Sequence, residues 1–366
     1  MPLTSTKKIA LVVSWLNQYG GAERVLETIQ SLYPHAPVFT SIYSPGAMPN
    51  SYRQWDIHSS ILARLPIPPK YQQRFFLPLY PFAFESFNLD EYDPILSITS
   101  AFAHGVRVPR GARHICYCLT PARFLWNYSD YVEREQIPAP ARAFLSLLIP
   151  FLRDWDRRAS TLVTEFIAIS QTVQARILQH YGRESTIIHP PVDVERFQVS
   201  QTRGEFFLIL SRLVPYKRID LAVEAFNQLG LPLVIAGDGR DRARLEMLAK
   251  PNVKFLGRVS DGEQVDLFAR CRAFIFPGEE DFGITPLEAN ACGKPVIAYA
   301  AGGALETIVE GVTGEFFNAP SVESMSQTVS KFDDGKFDPL TLRQHAEKFG
   351  VNVFKQKLQA VVERED

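Results

Sequence analysis

Residues Phe206 to Gly237 read FFLILSRLVPYKRIDLAVEAFNQLGLPLVIAG. FFLILS is an apolar run of strand length, RIDLAVEAFNQL repeats its apolar residues at helical spacing, and PLVIAG is a second apolar run. Short runs without polar alternation suit parallel strands that helices cover on both faces of a sheet. The stretch is a βαβ unit. VKFLG (Val253–Gly257), AFIFP (Ala273–Pro277) and PVIAYA (Pro295–Ala300) continue the alternation, with helix-like stretches such as DRARLEMLAK and EQVDLFARC among them. This succession of βα units predicts a doubly wound, Rossmann-like domain.

The first half of the chain opens in the same way. IALVVS, between Lys8 and Ser14, leads to Gly20-Gly21 and then to AERVLETIQSLY with helical spacing: strand, glycine loop, helix. Apolar runs at Pro94–Ser100, His114–Leu119 and Leu162–Ile169 fit later strands of that sheet. The polar stretch Val199–Glu205, preceded by HPPVDVERF, marks a boundary. The expected fold class is α/β, two Rossmann-like doubly wound domains facing across a cleft, where a ligand would sit.

A chain of 366 residues is long for one core, and its 46% hydrophobic and 22% charged shares are those of a soluble globular protein. The net charge of -1 gives no basic excess and no support to nucleic-acid binding. Of the four cysteines, Cys116 and Cys118 alternate within HICYCL and share a face; with Cys271 and Cys292 they lack zinc-site spacing. Reduced, buried thiols in a cytoplasmic protein are expected. The N-terminal apolar run is too short for a membrane span and lacks a signal-type cleavage site. ARLPIPPKYQQRFFLPLYPFAFESF, Ala63–Phe87, breaks the alternation. Its prolines oppose a long helix, and its aromatic and basic residues fit either a shielded excursion over the first domain or a lipid-facing or acceptor-binding surface.

The candidate chemistry centres on PGEEDFGITPLEANACGKP, Pro277–Pro295. Local rules predict a helix with Thr285 as N-cap, Pro286 at the first helical position and Glu288 reaching back as in a capping box, ended by Gly293 and Pro295. They leave Glu280, Asp281 and Gly283 unexplained. The free amides of such a helix start suit a phosphate. Arg212 and Lys217 follow the strand FFLILS, where open α/β sheets bind ligands, and two cations there would meet a diphosphate. Gly20-Gly21 would let backbone approach a phosphate, with Glu23 favourable to the helix dipole. His104, in SAFAHGV, follows a strand end. Asp261, in GRVSDGEQ, reads as an N-cap or as an acceptor for a guanine edge. Asp154-Trp155-Asp156 spells D-x-D but sits in a helix-like stretch, and GDGRDRA does not complete G-x-G-x-x-G. Neither a metal site nor a dinucleotide cofactor is supported.

GGAER, SRLVPYKRID, the E-x7-E pair Glu280/Glu288 and GKPVIAYAAGG, in this order over nearly the whole chain, resemble the retaining glycosyltransferases of family 4, of GT-B fold. HICYCLTPARFLW, AISQTVQARILQHYGRESTIIHPPVD and LPLYPFAFESFNLDEYD resemble the branch with bacterial GDP-mannose-dependent mannosyltransferases. The resemblance implies residues 1–198 as acceptor-side domain, 199–340 as nucleotide-sugar domain, and a helical segment 341–366 packing back on the first. It implies Glu280 facing the donor sugar, Glu288 the ribose, Asp281, Phe282 and the amides of Gly283, Ile284 and Thr285 near the diphosphate, and Arg212, Lys217, Gly20 and Gly21 as phosphate binders. Many members carry a histidine where this chain has Leu119, which makes His104 a candidate substitute. The implied activity is metal-independent, retaining transfer of mannose from GDP-mannose to a lipid-linked glycan or polysaccharide, without a cofactor, in the cytoplasm; the segment Ala63–Phe87 adds the expectation of a peripheral contact with the inner face of the cell membrane. UDP-sugar transfer, donor conversion without acceptor, and non-catalytic nucleotide-sugar binding are the alternatives.

Overall fold

The computed structural model describes residues 8–65, 76–129, 132, 137, 139–202 and 204–364. These fall into two compact units, one from Met1–Ile188 with Lys355–Asp366 and one from His189–Phe354.

The first unit is built on a seven-stranded sheet of β1 (Ala10–Val13), β2 (Val38–Thr40), β3 (Ile57–Ser59), β4 (Ile95–Thr99), β5 (His114–Cys118), β6 (Glu165–Ala168) and β7 (Ser185–Ile187). All pairings are parallel, in the order β3-β2-β1-β4-β5-β6-β7. β1, β4 and β5 are buried along their whole length, the pattern of strands covered on both faces. Leu11, Val12, Ile95 and Leu96 are fully buried, each worth roughly 1.5–3 kcal/mol over an exposed side chain. All four cysteines are buried and unbridged.

The second unit carries a six-stranded parallel sheet of β8 (Phe206–Leu210), β9 (Leu233–Ala236), β10 (Val253–Gly257), β11 (Cys271–Phe276), β12 (Val296–Tyr299) and β13 (Gly314–Phe317), in the order β10-β9-β8-β11-β12-β13. The helix Ile219–Leu229 joins β8 to β9 and buries Ile219, Ala222, Val223 and Phe226 against Phe207, Ile235 and Ile275. The βαβ unit read from Phe206–Gly237 is therefore present. GEFF, which forms β13, is too short and too mixed to stand out as a strand.

One local expectation changes. The segment expected as one body over 341–366 divides: Leu342 lies in the core of the second unit, where Arg343 donates to the carbonyls of Val194 and Phe197 at 2.9 and 2.6 Å. Only the chain from Lys355 onward groups with the first unit. There the buried Arg113 guanidinium donates to the carbonyls of Val361 and Val362 at the end of the helix Val351–Val362. It meets carbonyls that the helix itself leaves unsatisfied. In Ala63–Phe87, residues 66–75 lie outside the described residues. Beyond them Phe76, Tyr80 and Phe84 are buried in the core, whereas Leu79 and Phe82 are 41% and 63% exposed, so the described part of the segment has both an inner and an outer face.

Candidate functional site

In the second sheet the chain winds outward from two neighbours, β8 toward β9 and β11 toward β12. Between such strands the connections leave to opposite sides and open a crevice at the carboxyl ends. The loop after β8 contains the 3-10 turn Pro215–Lys217, and the loop after β11 contains Glu280. Lys217 Nζ is ion-paired with Glu280 Oε1, with the two side chains 14% and 22% exposed. Ser211, Gly278 and Pro277 line the same depression.

Two backbone features hold this pair. A Cβ on Gly278 would lie 2.8 Å from the Lys217 carbonyl oxygen and 2.9 Å from its Cα, so only glycine lets the loops approach this closely. Arg218, next to Lys217, has φ +52°, a left-handed conformation that costs a non-glycine residue about 1–2 kcal/mol. It starts the helix Ile219–Leu229 and its guanidinium reaches Asp220 at 3.3 Å.

The acidic loop is clamped by the pair Gly302-Gly303, in the loop after β12. Gly303 N–H donates to the Glu280 carbonyl at 2.8 Å, and a Cβ at this position would meet Phe282 Cα at 2.2 Å. The glycines closing VIAYAAGG thus fix the height of Glu280, a role the sequence reading did not assign. Phe282 is an anchor: it is 3% exposed, stacked on His189 at 5.2 Å and tilted against Phe349 at 5.9 Å. Its side chain is removed from the candidate lining, while Asp281, Ile284 and Thr285 remain partly exposed.

The helix that follows spans Ile284–Ala291, with Gly283 as N-cap at φ +101° and no side-chain cap bond. The expected Thr285 cap and Glu288 capping box are corrected: left-handed glycine makes the turn one residue earlier. Glu288 is only 4% exposed and accepts a hydrogen bond from Gln264 Nε2 at 3.0 Å. Asp261 is corrected likewise. Ser260 caps the helix Asp261–Arg270 in a capping box with Glu263, whose carboxyl those hydrogen bonds hold below its ordinary range. Asp261 instead stands exposed, 3.3 Å from Arg196 Nη2. Gln264 and Arg196 were not singled out from the sequence, because an amide and an arginine spaced far apart carry no motif.

Arg212 is exposed and donates to Tyr216 Oη at 3.3 Å, on the same turn as Lys217. The structure therefore groups Arg212, Lys217 and Glu280, with Glu288 on the adjoining helix. His104 is 1% exposed inside the first unit, where its Nε2 lies 3.3 Å from Asp156 Oδ1. Asp156 also accepts from Trp126 Nε1 and Tyr181 Oη, both at 2.8 Å. Burial disfavours charge on the His104 ring, but Asp156 outweighs it and holds the ring above its ordinary value. As a substitute for the histidine missing at Leu119, His104 is corrected: its ring serves the core. Gly20, the N-cap of the helix Gly21–Leu32, is extended at φ -171°, so its conformation alone does not require glycine. Glu23 is buried in that helix's first turn, and its carbonyl accepts from Tyr52 Oη at 3.1 Å.

Residues 19–196 match the family model Glycosyltransferase Family 4, and residues 193–352 match Glycosyl transferases group 1. The two models adjoin and together span residues 19–352, and both describe glycosyltransferases. A GDP-mannose-dependent monoacylated alpha-(1-6)-phosphatidylinositol monomannoside mannosyltransferase of Corynebacterium glutamicum is 32% identical over 53% of this chain and 58% of its own length. The chain thus spans little more than half the length of that curated relative. The alpha-1,3/1,6-mannosyltransferase ALG2 of Dictyostelium discoideum is 28% identical over 76% of this chain and 77% of its own. Among solved structures, the Anabaena protein HepE in complex with UDP and glucose superposes with a TM-score of 0.71 at 22% identity, covering 98% of this chain and 100% of its own. That likeness shows the fold: two Rossmann-like units of the GT-B kind. The Lys217–Glu280 crevice lies wholly within the group 1 match.

Proposed function

We propose that the chain is a retaining, metal-independent glycosyltransferase that moves mannose from GDP-mannose onto a lipid-linked glycan or polysaccharide. The observation that carries this reading is the Lys217–Glu280 pair at the junction of β8 and β11, beside the start of the helix Ile284–Ala291. Lys217 and Arg212 meet the diphosphate with charge, and the amides from Gly283 to Thr285 add their dipoles. Glu280 faces the donor sugar, Glu288 the ribose hydroxyls and Asp261 the base. The acceptor hydroxyl attacks the anomeric carbon on the face from which the diphosphate departs. The new C–O bond forms as the sugar–phosphate bond breaks, and the departing diphosphate takes the acceptor's proton. No general base is needed, so Leu119 is tolerated.

The names of the Corynebacterium and Dictyostelium relatives support mannose as the sugar. The Anabaena structure, which holds UDP and glucose, supports the second reading, a UDP-sugar donor at the same site. Among the described residues no helix is long and apolar enough to cross a membrane. The exposed Leu79 and Phe82 support a peripheral contact with lipid at the cytoplasmic face. The test is to incubate GDP-mannose or UDP-glucose with the protein, EDTA and lipid-linked glycans, and to follow nucleotide release and the product's anomeric configuration by NMR. Acceptor-dependent GDP release with retention supports the reading. UDP release replaces the donor, and consumption of neither donor overturns it.

A further inference from the structure

Four side chains of the second unit form a continuous file. Asp261 Oδ1 lies 3.3 Å from Arg196 Nη2, the same nitrogen donates to Gln264 Oε1 at 3.3 Å, and Gln264 Nε2 donates to Glu288 Oε2 at 3.0 Å. Gln264 and Glu288 are 5% and 4% exposed, so this end of the file lies inside the protein. Arg196 comes from the turn Val194–Arg196 and is steadied on the Phe197 ring at 5.2 Å.

The file has a polarity. A primary amide offers a carbonyl on one side and an NH2 on the other. With a guanidinium at one end and a carboxylate at the other, only one orientation of Gln264 is favourable. Reversing it would set NH2 against Arg196 and a carbonyl against Glu288, two unsatisfied contacts in a buried place. Arg196 thus fixes the amide, and the amide fixes one oxygen of Glu288.

We propose that Gln264, oriented by Arg196, is a positioning residue that aims the Glu288 carboxylate at the donor's ribose and ties it to Asp261 on the base side. The inference rests on the proposed roles of Glu288 and Asp261. Gln264 itself touches no donor atom. Its loss changes how well the protein senses the ribose hydroxyls while leaving the diphosphate contacts intact.

The test is calorimetric binding of GDP and of 2′,3′-dideoxy-GDP, with the UDP pair in parallel, to the full chain and to Gln264→Leu, Gln264→Glu and Arg196→Met. The wild type is expected to favour the ribonucleotide by about 10–100-fold, the range for hydrogen bonds to a charged group. Gln264→Leu should cut that preference to below about 3-fold, entirely through weaker ribonucleotide binding. Gln264→Glu has the same shape and places a like charge against Glu288; it should do the same and carries the test if the leucine variant does not fold. Arg196→Met should lower the preference as well. An unchanged preference in the Gln264 variants overturns the relay and leaves the site reading standing. An equal loss for both nucleotides also overturns it, since a merely structural role would weaken both. No preference in the wild type overturns the placement of Glu288 at the ribose, and the relay with it.

Discussion

The junction of β1 with β4 in the first unit and that of β8 with β11 in the second are built alike and used differently. Each lies where the winding of a parallel sheet reverses, and each is followed by a loop with a strained backbone. Among the described residues, Phe102 at φ +64° and Arg218 at φ +52° are the non-glycine residues with positive φ, one beyond β4 and one beyond β8. In the first unit the strain turns Phe102 inward, stacked at 5.0 Å on Tyr80, with His104 buried beside it. Ser14 pins the loop there by donating to the Ala101 carbonyl at 2.8 Å. In the second unit the strained residue follows Lys217, whose partly exposed side chain pairs with Glu280. Topology marks both places as candidate crevices, and the direction of the side chains is what distinguishes them.

The largest expected effects separate the two junctions directly. Lys217→Ala and Glu280→Gln should each lower transfer by about 10²–10³-fold, the loss seen when one preorganised charge-stabilising group is removed. His104→Asn should lower it by less than about 3-fold once activity is normalised to folded protein, since His104 is buried in the first unit and held by Asp156. A His104→Asn loss as large as that of Lys217→Ala would break the contrast. Gly303→Ala sharpens it. Its Cβ would press on Phe282 Cα, so it should cost about 1–3 kcal/mol in denaturant unfolding and weaken nucleotide binding as the Glu280 loop shifts.

A smaller effect concerns pH and belongs to the first unit. Burial, aided by the charge of His104, pushes His114 from 6.5 down to about 3. Below pH 6.5 the unfolded chain takes up a proton there that the folded chain does not, so stability is lost as pH falls toward 3. His104 works in the other direction. Its folded value is raised, so its contribution is present below 6.5 and is lost as pH rises through that raised value. The two windows meet near 6.5. Melting curves should show His114→Asn flattening the acid arm by about 1–2 kcal/mol between pH 6.5 and 5, and His104→Asn flattening the arm above 6.5. Identical slopes in the wild type and both variants would remove the buried histidines from this account.

Much of the second unit was legible because strand, loop and helix follow one another closely. The apolar runs locate β8 to β12, and the cations and acids stand in the loops after β8 and β11, where a doubly wound sheet exposes them. What was not legible depends on direction and distance. The position of His104 after a strand is visible in the sequence, but its inward turn depends on the strain at Phe102 and on Asp156, distant along the chain. Thr285 and Asp261 each satisfy a local capping rule, yet Gly283 and Ser260 win: left-handed glycine makes the first turn, and the Ser260–Glu263 box satisfies the second helix. Gly302 and Gly303 were visible as a motif, but their close approach to the Glu280 loop is a contact between separate loops.

The central claim, that the Lys217–Glu280 crevice receives a nucleoside diphosphate, is tested most directly by titrating GDP and UDP into the wild type and Lys217→Ala side by side, with EDTA present. The wild type should bind GDP more tightly than UDP, and Lys217→Ala should lose about 100-fold of that affinity while remaining folded. Equal GDP affinity in the two proteins would contradict it.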